Sequence, residues 1–191
     1  MPYFNIVAET SENTVVTEYE PVKKRSDSYQ SEAALEQEFI RLLCEQGYEY
    51  LPIHTEKDLI ANLRKKLEEL NNYQFSDTEW DDFFKNAVAN PNEHIVEKTR
   101  KIQEDNVQVL TRDDGSSKNI TLIDKKNIHN NRLQVINQYV IGTENGAKHD
   151  NRYDVTVLVN GLPLVHIELK RRGVAIREAF NQINRYQRDS F

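Results

Sequence analysis

The chain contains 191 residues, of which 31 are acidic and 25 basic, giving a formal net charge of −6. This length predicts one domain, or one domain with an appendage, and the net negative charge excludes a uniformly basic nucleic-acid-binding protein. The charge is unevenly divided, because residues 1–97 hold 9 basic and 20 acidic side chains whereas residues 98–191 hold 16 and 11. We therefore expect the second half of the chain to be the part that binds an anionic partner.

Several familiar classes of protein are excluded by features that the sequence lacks. It has no stretch of about 20 apolar residues that could span a membrane, and no signal peptide is visible at its start. None of its six glycines belongs to a Walker A loop or a dinucleotide-binding fingerprint. The single cysteine, Cys44, cannot form an internal disulfide, which is typical of the reducing cytoplasm. We expect Cys44 to be a buried core residue.

The first half of the chain is predicted to be an arm followed by four helices. Residues 1–30 are polar and form the predicted N-terminal arm, with short strands near residues 4–7 or 14–16. Ser31 is the expected N-cap of a helix over residues 32–46, which Gly47 ends. Further helices are predicted over residues 56–70, from the capping box at Ser76 to about Val88, and from an Asn92 cap to about Gln103.

The second half changes to the pattern of strands. The predicted elements are a hairpin over residues 107–110 and 120–123, a strand over 133–141, a polar loop over 143–151, strands over 153–159 and 164–170, and a last helix from about 174 to 188. Helices first and strands later predict an α/β (α+β) domain over residues 31–191, with a helical part at 31–105 and a mixed sheet flanked by helices, closed by one helix, at 106–191.

The last two strands separate apolar from ionisable side chains. Alternation places one apolar set (Val155, Val157 and Val159, then Val165, Ile167 and Leu169) on one face, and the ionisable residues on the other. A two-residue turn at Asn160-Gly161 with unbroken pairing would mix the two sets. We therefore predict a three-residue loop or a bulge, with Asp154 paired to His166.

This register makes Asp154 and Glu168 diagonal neighbours, roughly 7–8 Å apart at the backbone. Two carboxylates at this spacing are able to share one hard divalent cation, with water completing its coordination shell. Lys170 lies on the same face, where its ammonium would orient an attacking water or neutralise an oxyanion. The arrangement suits phosphodiester hydrolysis, but an exposed network of ordinary Asp, Glu and Lys side chains would give the same pattern.

These residues also resemble a known family. Asp154 followed by a hairpin and Glu168-Leu169-Lys170 looks like the PD-(D/E)xK nuclease signature, with Tyr153 where the proline often stands. The longer sequence around this motif is similar to the N-terminal nuclease domain of the R (HsdR) subunit of type I restriction–modification enzymes, and the similarity covers nearly the whole chain. Its segments include residues 151–165, 167–170 and 173–183, with 27–32 and 122–127 further upstream.

The resemblance implies a restriction-endonuclease-like core in which Asp154, Glu168 and Lys170 cleave double-stranded DNA with Mg²⁺, for which Mn²⁺ is able to substitute. It also implies a role in DNA positioning for Gln182 and Tyr186, which fit the family's Q-x-x-x-Y motif. The expected partners are DNA and the modification (M) and specificity (S) subunits, in the bacterial cytoplasm. ATP would bind only to motor domains that these 191 residues lack, so we expect the chain to be a piece of a longer protein.

Several alternatives remain open at the level of sequence. Glu32 and Glu36 lie on the apolar arc of the first helix and are candidate metal ligands, although both positions suit solvated residues at a helix N-terminus. Basic side chains that are able to bind DNA phosphates are Lys125, Lys126, Lys170, Arg171, Arg172, Arg177, Arg185 and Arg188. The five histidines show no zinc-ligand spacing. A resolvase-like or repair nuclease, or a non-cleaving DNA-binding or assembly module, would also fit.

Overall fold

A computed structural model of the chain describes residues 4–9, 15–19, 31–141, 151–171 and 173–189, with side chains for most of residues 31–184. The predicted loop over 143–151 lies outside the described residues except at Asn151. The helices are Glu32–Glu45 (α1), Glu56–Asn71 (α2), Asp77–Phe83 (α3), Ile95–Glu104 (α4) and Ile176–Asp189 (α5). The strands are Phe4–Glu9 (β1), Val15–Tyr19 (β2), Glu49–Tyr50 (β3), Val107–Thr111 (β4), Ser117–Thr121 (β5), Leu133–Ile141 (β6), Asn151–Val159 (β7) and Leu162–Ile167 (β8).

The strands form one four-stranded sheet and two separate hairpins. The main sheet has the order β3–β6–β7–β8, in which β3 runs parallel to β6 and the other neighbours are antiparallel. The hairpins are β1–β2 and β4–β5. The predicted mixed sheet with flanking helices is therefore confirmed, although β3 was not predicted. Within the described part of the chain, no helix has the length and apolar character needed to cross a membrane.

Helices cover both faces of the main sheet. Val135, Val155 and Val157 on one face pack against Leu43 of α1. Ile136 and Leu158 point the other way and join a cluster that includes Leu59 of α2 and Ile53. A third cluster fills the space between α2, α3 and the β4–β5 hairpin, and includes Leu63, Trp80, Ile120 and Leu162. The sheet is thus an internal layer, which explains why both faces of β6 and β7 are apolar near their middle.

The helix starts follow the predicted caps with one exception. The Ser31 side chain accepts a hydrogen bond from the Ala34 backbone N–H (3.1 Å), and Ser76 forms the predicted capping box, from which α3 continues as one π-helical segment to Val88. The Asn92 cap is wrong, because α4 is capped by His94 and the Asn92 N–H instead donates to the Asn90 side chain in the preceding turn. The prediction that Cys44 is a buried core residue is also wrong, because Cys44 is exposed on α1.

The turn between β7 and β8 corrects the predicted register. Val159 pairs with Leu162 across a two-residue Asn160-Gly161 turn, so the three-residue loop is wrong. The bulge is confirmed, because Leu158 pairs with Pro163 but Val157 pairs with Val165, leaving one extra residue in β8. Pro163 has no N–H to donate to the ladder, which favours a bulge at this position.

The bulge keeps Val155 and Val157 on the same face as Ile167 and Val165, as predicted, but shifts the partners by two residues. His166 pairs with Thr156, not with Asp154 as predicted. Val155 pairs with Ile167, where β8 ends, so Glu168 and Lys170 lie beyond the strand instead of inside it. The residues proposed for chemistry therefore stand where regular pairing stops.

Candidate active site

Asp154 lies where the pairing of β6 with β7 is interrupted. The pairs on both sides stay in register, but Gln138 and Asp154 between them are not among the paired residues. Gln138 has a φ of 53°, a left-handed conformation that is uncommon for a non-glycine residue. The Asp154 backbone is not paired with β6 at this point, and its side-chain Oδ2 accepts a hydrogen bond from the Leu169 backbone N–H (2.9 Å).

The alternation of side chains along β7 also breaks at Asp154. The Tyr153 ring stacks on the His166 ring with centroids 4.2 Å apart, and His166 pairs with Thr156. In a regular strand, Tyr153 and Thr156 would point to opposite faces. Because both residues lie beside His166, they point to the same face, and the alternation of β7 must break between them. Local irregularities of this kind often occur beside functional sites. His166 therefore lies on the face away from Val155.

Glu168 and Lys170 follow the end of β8 and form an ion pair. The Lys170 ammonium Nζ is 2.7 Å from Glu168 Oε1. Only 3% of the Glu168 side chain and 20% of the Lys170 side chain are exposed. The backbone between them is held by Asp154 through Leu169 N–H, so that Asp154, Glu168 and Lys170 are brought together as the sequence predicts.

The electrostatics of this group reflect two carboxyls beside one ammonium. Burial raises the pKa of Glu168; the hydrogen bond from Lys170 opposes this effect, and the neighbouring Asp154 carboxyl adds to it, so the pKa is raised overall. Burial lowers the pKa of Lys170, but its hydrogen bond to Glu168 and the surrounding carboxylates outweigh burial, so this pKa is raised. Lys170 is thus held as a charged ammonium at neutral pH.

Both acidic residues of α1 reach this region in different ways. Glu32 is exposed; its Oε1 accepts a 3.4 Å hydrogen bond from the Arg171 backbone N–H, and its charge contributes to the raised pKa of Lys170. Glu36 is buried, at 9% exposure, and its two carboxylate oxygens accept hydrogen bonds from the side-chain amides of Asn137 (2.6 Å) and Gln138. A direct role for either residue in metal binding stays a prediction.

A cleft of about 510 Å³ opens beside Lys170, and α5 forms one of its walls. It is lined by Glu32, Lys170, Arg171, Val174, Glu178, Asn181 and Gln182. Gln182 of the predicted motif therefore faces the same space as Lys170. The Tyr186 side chain lies outside the described part of the structure, so only its place on α5 is known. Arg172 and the side chains of Arg185 and Arg188 also lie outside it.

The structure adds three groups that the sequence did not reveal. Asn137 and Gln138 bind Glu36, and the Leu169 backbone N–H holds Asp154. A left-handed glutamine inside a strand carries no sequence signal, and a backbone donor is invisible in side-chain patterns. Of the predicted basic residues outside the cleft, Lys125 donates its ammonium protons to the Gln103 carbonyl oxygen (2.7 Å), which favours a structural contact.

The donor set of Asp154 and Glu168 suits a hard divalent cation. Within the described residues, no group of three or more His, Cys, Asp or Glu side chains is placed to hold a metal by itself. Mg²⁺ does not require such a cage, because it is usually bound by one or two carboxylates together with water and substrate phosphate oxygens. The Asp154 and Glu168 carboxyls, which lie on either side of the Leu169 N–H and the Lys170 ammonium, fit this mode of binding.

The fold and site together define an α+β domain in which two carboxyls and a lysine meet beside the end of an edge strand. The chain belongs to the family described as the type I restriction enzyme R protein N terminus, whose model matches residues 29–191.

Three relatives indicate the breadth of this similarity. The type I restriction enzyme EcoprrI endonuclease subunit of Escherichia coli is 50% identical over 186 residues, which cover 97% of this chain and 58% of the relative. The SsaAORF53P endonuclease subunit of Staphylococcus saprophyticus is 39% identical, and the HindI endonuclease subunit of Haemophilus influenzae is 31% identical. These matches cover 85% and 82% of this chain but 17% of each relative, so the chain spans only part of the length of its relatives.

Proposed function

We propose that this chain is the DNA-cleaving domain of a type I restriction enzyme R subunit and hydrolyses phosphodiester bonds in double-stranded DNA. Sequence similarity and the geometry of the site both support this proposal. The chain belongs to the family of R protein N termini, and relatives are named as endonuclease subunits. The observation that carries the chemistry is the meeting of Asp154, Glu168 and Lys170 around the Leu169 backbone.

Asp154 and Glu168 would hold the cation, Mg²⁺ or Mn²⁺. A divalent cation bound there would polarise the phosphate and lower the pKa of an attacking water. Lys170 would stabilise the negative charge that grows on the phosphate oxygens while the water oxygen bonds to phosphorus and the bond to the leaving sugar oxygen breaks. The Lys170 ammonium, which pairs with Glu168 beside Asp154, is placed for this electrostatic role. Gln182 lines the cleft beside Lys170 and is proposed to contact the DNA backbone, with Tyr186 one helical turn further along α5.

The wider assembly belongs to the same proposal. The name type I restriction enzyme endonuclease subunit, carried by the relatives, implies an enzyme of several subunits. We propose that DNA recognition comes from M and S subunits, and that ATP-driven translocation is performed by domains outside these 191 residues. Residues 31–191 would form the nuclease domain, with residues 1–30 as an arm. Family membership favours this function over a resolvase or repair nuclease with the same core.

The decisive experiment is DNA cleavage by the assembled enzyme that carries Asp154→Ala or Lys170→Ala. We expect cleavage to fall by at least 100-fold, because each variant removes a group that contacts the reacting phosphate or its cation. DNA binding should be kept. The control is Asp82→Asn, which alters an exposed carboxylate on α3 far from the site in sequence. Undiminished cleavage by Asp154→Ala would refute the catalytic assignment, whereas a wild-type enzyme that binds DNA but never cleaves it would favour a binding or assembly module.

A further inference from the structure

Glu36 is a buried carboxylate whose partners are neutral amides. Its exposure is 9%, and among the described contacts its two oxygens are bound by Asn137 and Gln138, with no basic side chain as a partner. Burying an ionisable group is costly unless hydrogen bonds satisfy it. Two donors from consecutive residues of β6 indicate that this carboxylate holds a particular conformation of that strand.

The conformation is the left-handed turn of the backbone at Gln138. Consecutive residues of a regular strand point to opposite faces of the sheet. Asn137 and Gln138 nevertheless both reach Glu36 on the α1 side, which the φ of 53° at Gln138 makes possible. Because this φ is unfavourable for a residue with a Cβ atom, the surrounding structure must hold it in place.

The left-handed residue lies opposite Asp154 in the adjacent strand. Pairing is lost at this position only, between two pairs that remain in register. At this unpaired position the Asp154 carboxylate accepts the Leu169 N–H and lies beside Glu168. The chain of contacts therefore runs from Glu36 through Gln138 to the place where Asp154 leaves regular pairing.

We propose that Glu36 is a positioning residue, which holds Gln138 in its left-handed conformation and thereby sets the approach of Asp154 to Glu168. This inference rests on the proposed function, in which those two carboxyls bind the divalent cation. It differs from direct metal binding by Glu36, because the effect is transmitted through the backbone of β6. Residues of this kind, which orient metal ligands without touching the metal, typically change metal affinity by 10–100-fold.

The first test measures Mn²⁺ binding to the whole chain by isothermal titration calorimetry. In Glu36→Gln, one acceptor oxygen becomes an amide donor that faces another donor, so we expect Mn²⁺ affinity to fall by about tenfold or more. The control is Glu38→Gln, the same change at an exposed position of α1. Wild-type affinity in Glu36→Gln would overturn the proposal. Circular dichroism identifies any variant that does not fold; if Glu36→Gln fails, Gln138→Ala replaces it with the same expected loss, and retained affinity overturns the proposal.

The second test separates positioning from direct coordination. Glycine adopts a φ near +53° without strain, so Gln138→Gly should make the left-handed turn independent of Glu36. We expect the double variant Glu36→Gln/Gln138→Gly to bind Mn²⁺ at least threefold more tightly than Glu36→Gln alone. Without recovery, Glu36 acts as a ligand and the positioning role is overturned.

The third test needs no metal and distinguishes failure of this inference from failure of the proposed function. Hydrogen exchange of the Leu169 amide reports whether Asp154 still accepts its proton. We expect exchange to become at least tenfold faster in Glu36→Gln and to stay unchanged in Glu38→Gln. Unchanged protection in Glu36→Gln overturns the inference. If Leu169 exchanges faster in Glu36→Gln but the wild-type chain binds no Mn²⁺, the positioning of Asp154 is supported and the proposed cation site is overturned.

Discussion

Replacing Gly161 with alanine should show how the hairpin that carries the candidate site is fixed to the rest of the domain. Gly161 has a φ of +83° in the turn between β7 and β8. A Cβ atom added there would lie 2.6 Å from Leu63 Cα and 3.0 Å from Leu63 N, both backbone atoms of α2. Since backbone atoms within a helix have little freedom to move, either the turn or α2 must shift.

The expected loss has two parts. The left-handed backbone costs a residue with a Cβ atom about 1–2 kcal/mol, and a clash within a packed region costs about 1–3 kcal/mol more. We therefore expect Gly161→Ala to lower the free energy of unfolding by roughly 2–5 kcal/mol. For a chain of this size, such a loss lowers the Tm by about 5–15 °C.

The matched control is Gly115→Ala in the turn between β4 and β5. Gly115 has a φ of +79°, but an added Cβ atom would meet nothing within 4 Å. It therefore bears the backbone strain alone, about 1–2 kcal/mol. Urea unfolding should be followed by the fluorescence of Trp80, the one tryptophan, which is buried in the same cluster as Leu63 and Leu162. Equal losses for the two variants would refute the reasoning, because the contact with α2 would then contribute nothing.

Two further stability effects follow from buried polar side chains. Burial raises the pKa of Glu79, but hydrogen bonds from the Tyr73 hydroxyl and the Ser76 and Asp113 backbone N–H groups outweigh burial, so the pKa is lowered overall. The charged carboxylate therefore stabilises the fold above the pKa of an unfolded glutamate, about 4.3. This stabilisation is lost as the pH falls through the lower pKa of the folded state. The free energy of unfolding, measured with urea at pH 7, should be lower by about 1–3 kcal/mol in Glu79→Gln, with a smaller difference from wild type at pH 3. A difference that stays constant between the two pH values would contradict the role of the charge. Asn160→Gly keeps the left-handed turn but removes three side-chain hydrogen bonds, to Leu122, Asn131 and Arg132, and should cost about 2–4 kcal/mol by thermal melting; an unchanged Tm would show that these bonds are dispensable.

The elements were predictable where periodicity or a cap defines them. The Ser31 and Ser76 caps, the strand over residues 133–141 and the helix near the C-terminus all follow local patterns that tertiary contacts reinforce. β3 could not be found in this way, because two polar-flanked residues have no period and pair with β6 across more than 80 positions. Long-range pairing of so short a segment depends on the completed fold.

The register of β7 and β8 shows how far a pattern argument extends. Separating apolar from ionisable side chains correctly required a bulge, because face assignment depends only on whether the shift is odd or even. The separation of faces cannot distinguish two registers that differ by two residues. It therefore predicts a pair between Asp154 and His166, whereas the partner of His166 in the structure is Thr156. The break at Gln138 and Asp154 was unpredictable for a different reason: its cause is a buried carboxylate on α1, a hundred positions away.

The uneven charge of the sequence does not correspond to separate regions in space. Glu32 and Glu36 belong to the acidic half, yet Glu32 contacts the backbone next to Lys170, and Glu36 contacts Gln138 of β6, the strand beside the one that holds Asp154. Carboxylates therefore outnumber the lysine around the candidate site, and a DNA phosphate would be repelled there in the absence of a cation. We infer that affinity for DNA must come mainly from outside this group of residues, which agrees with the proposal that other subunits bring this domain to its substrate.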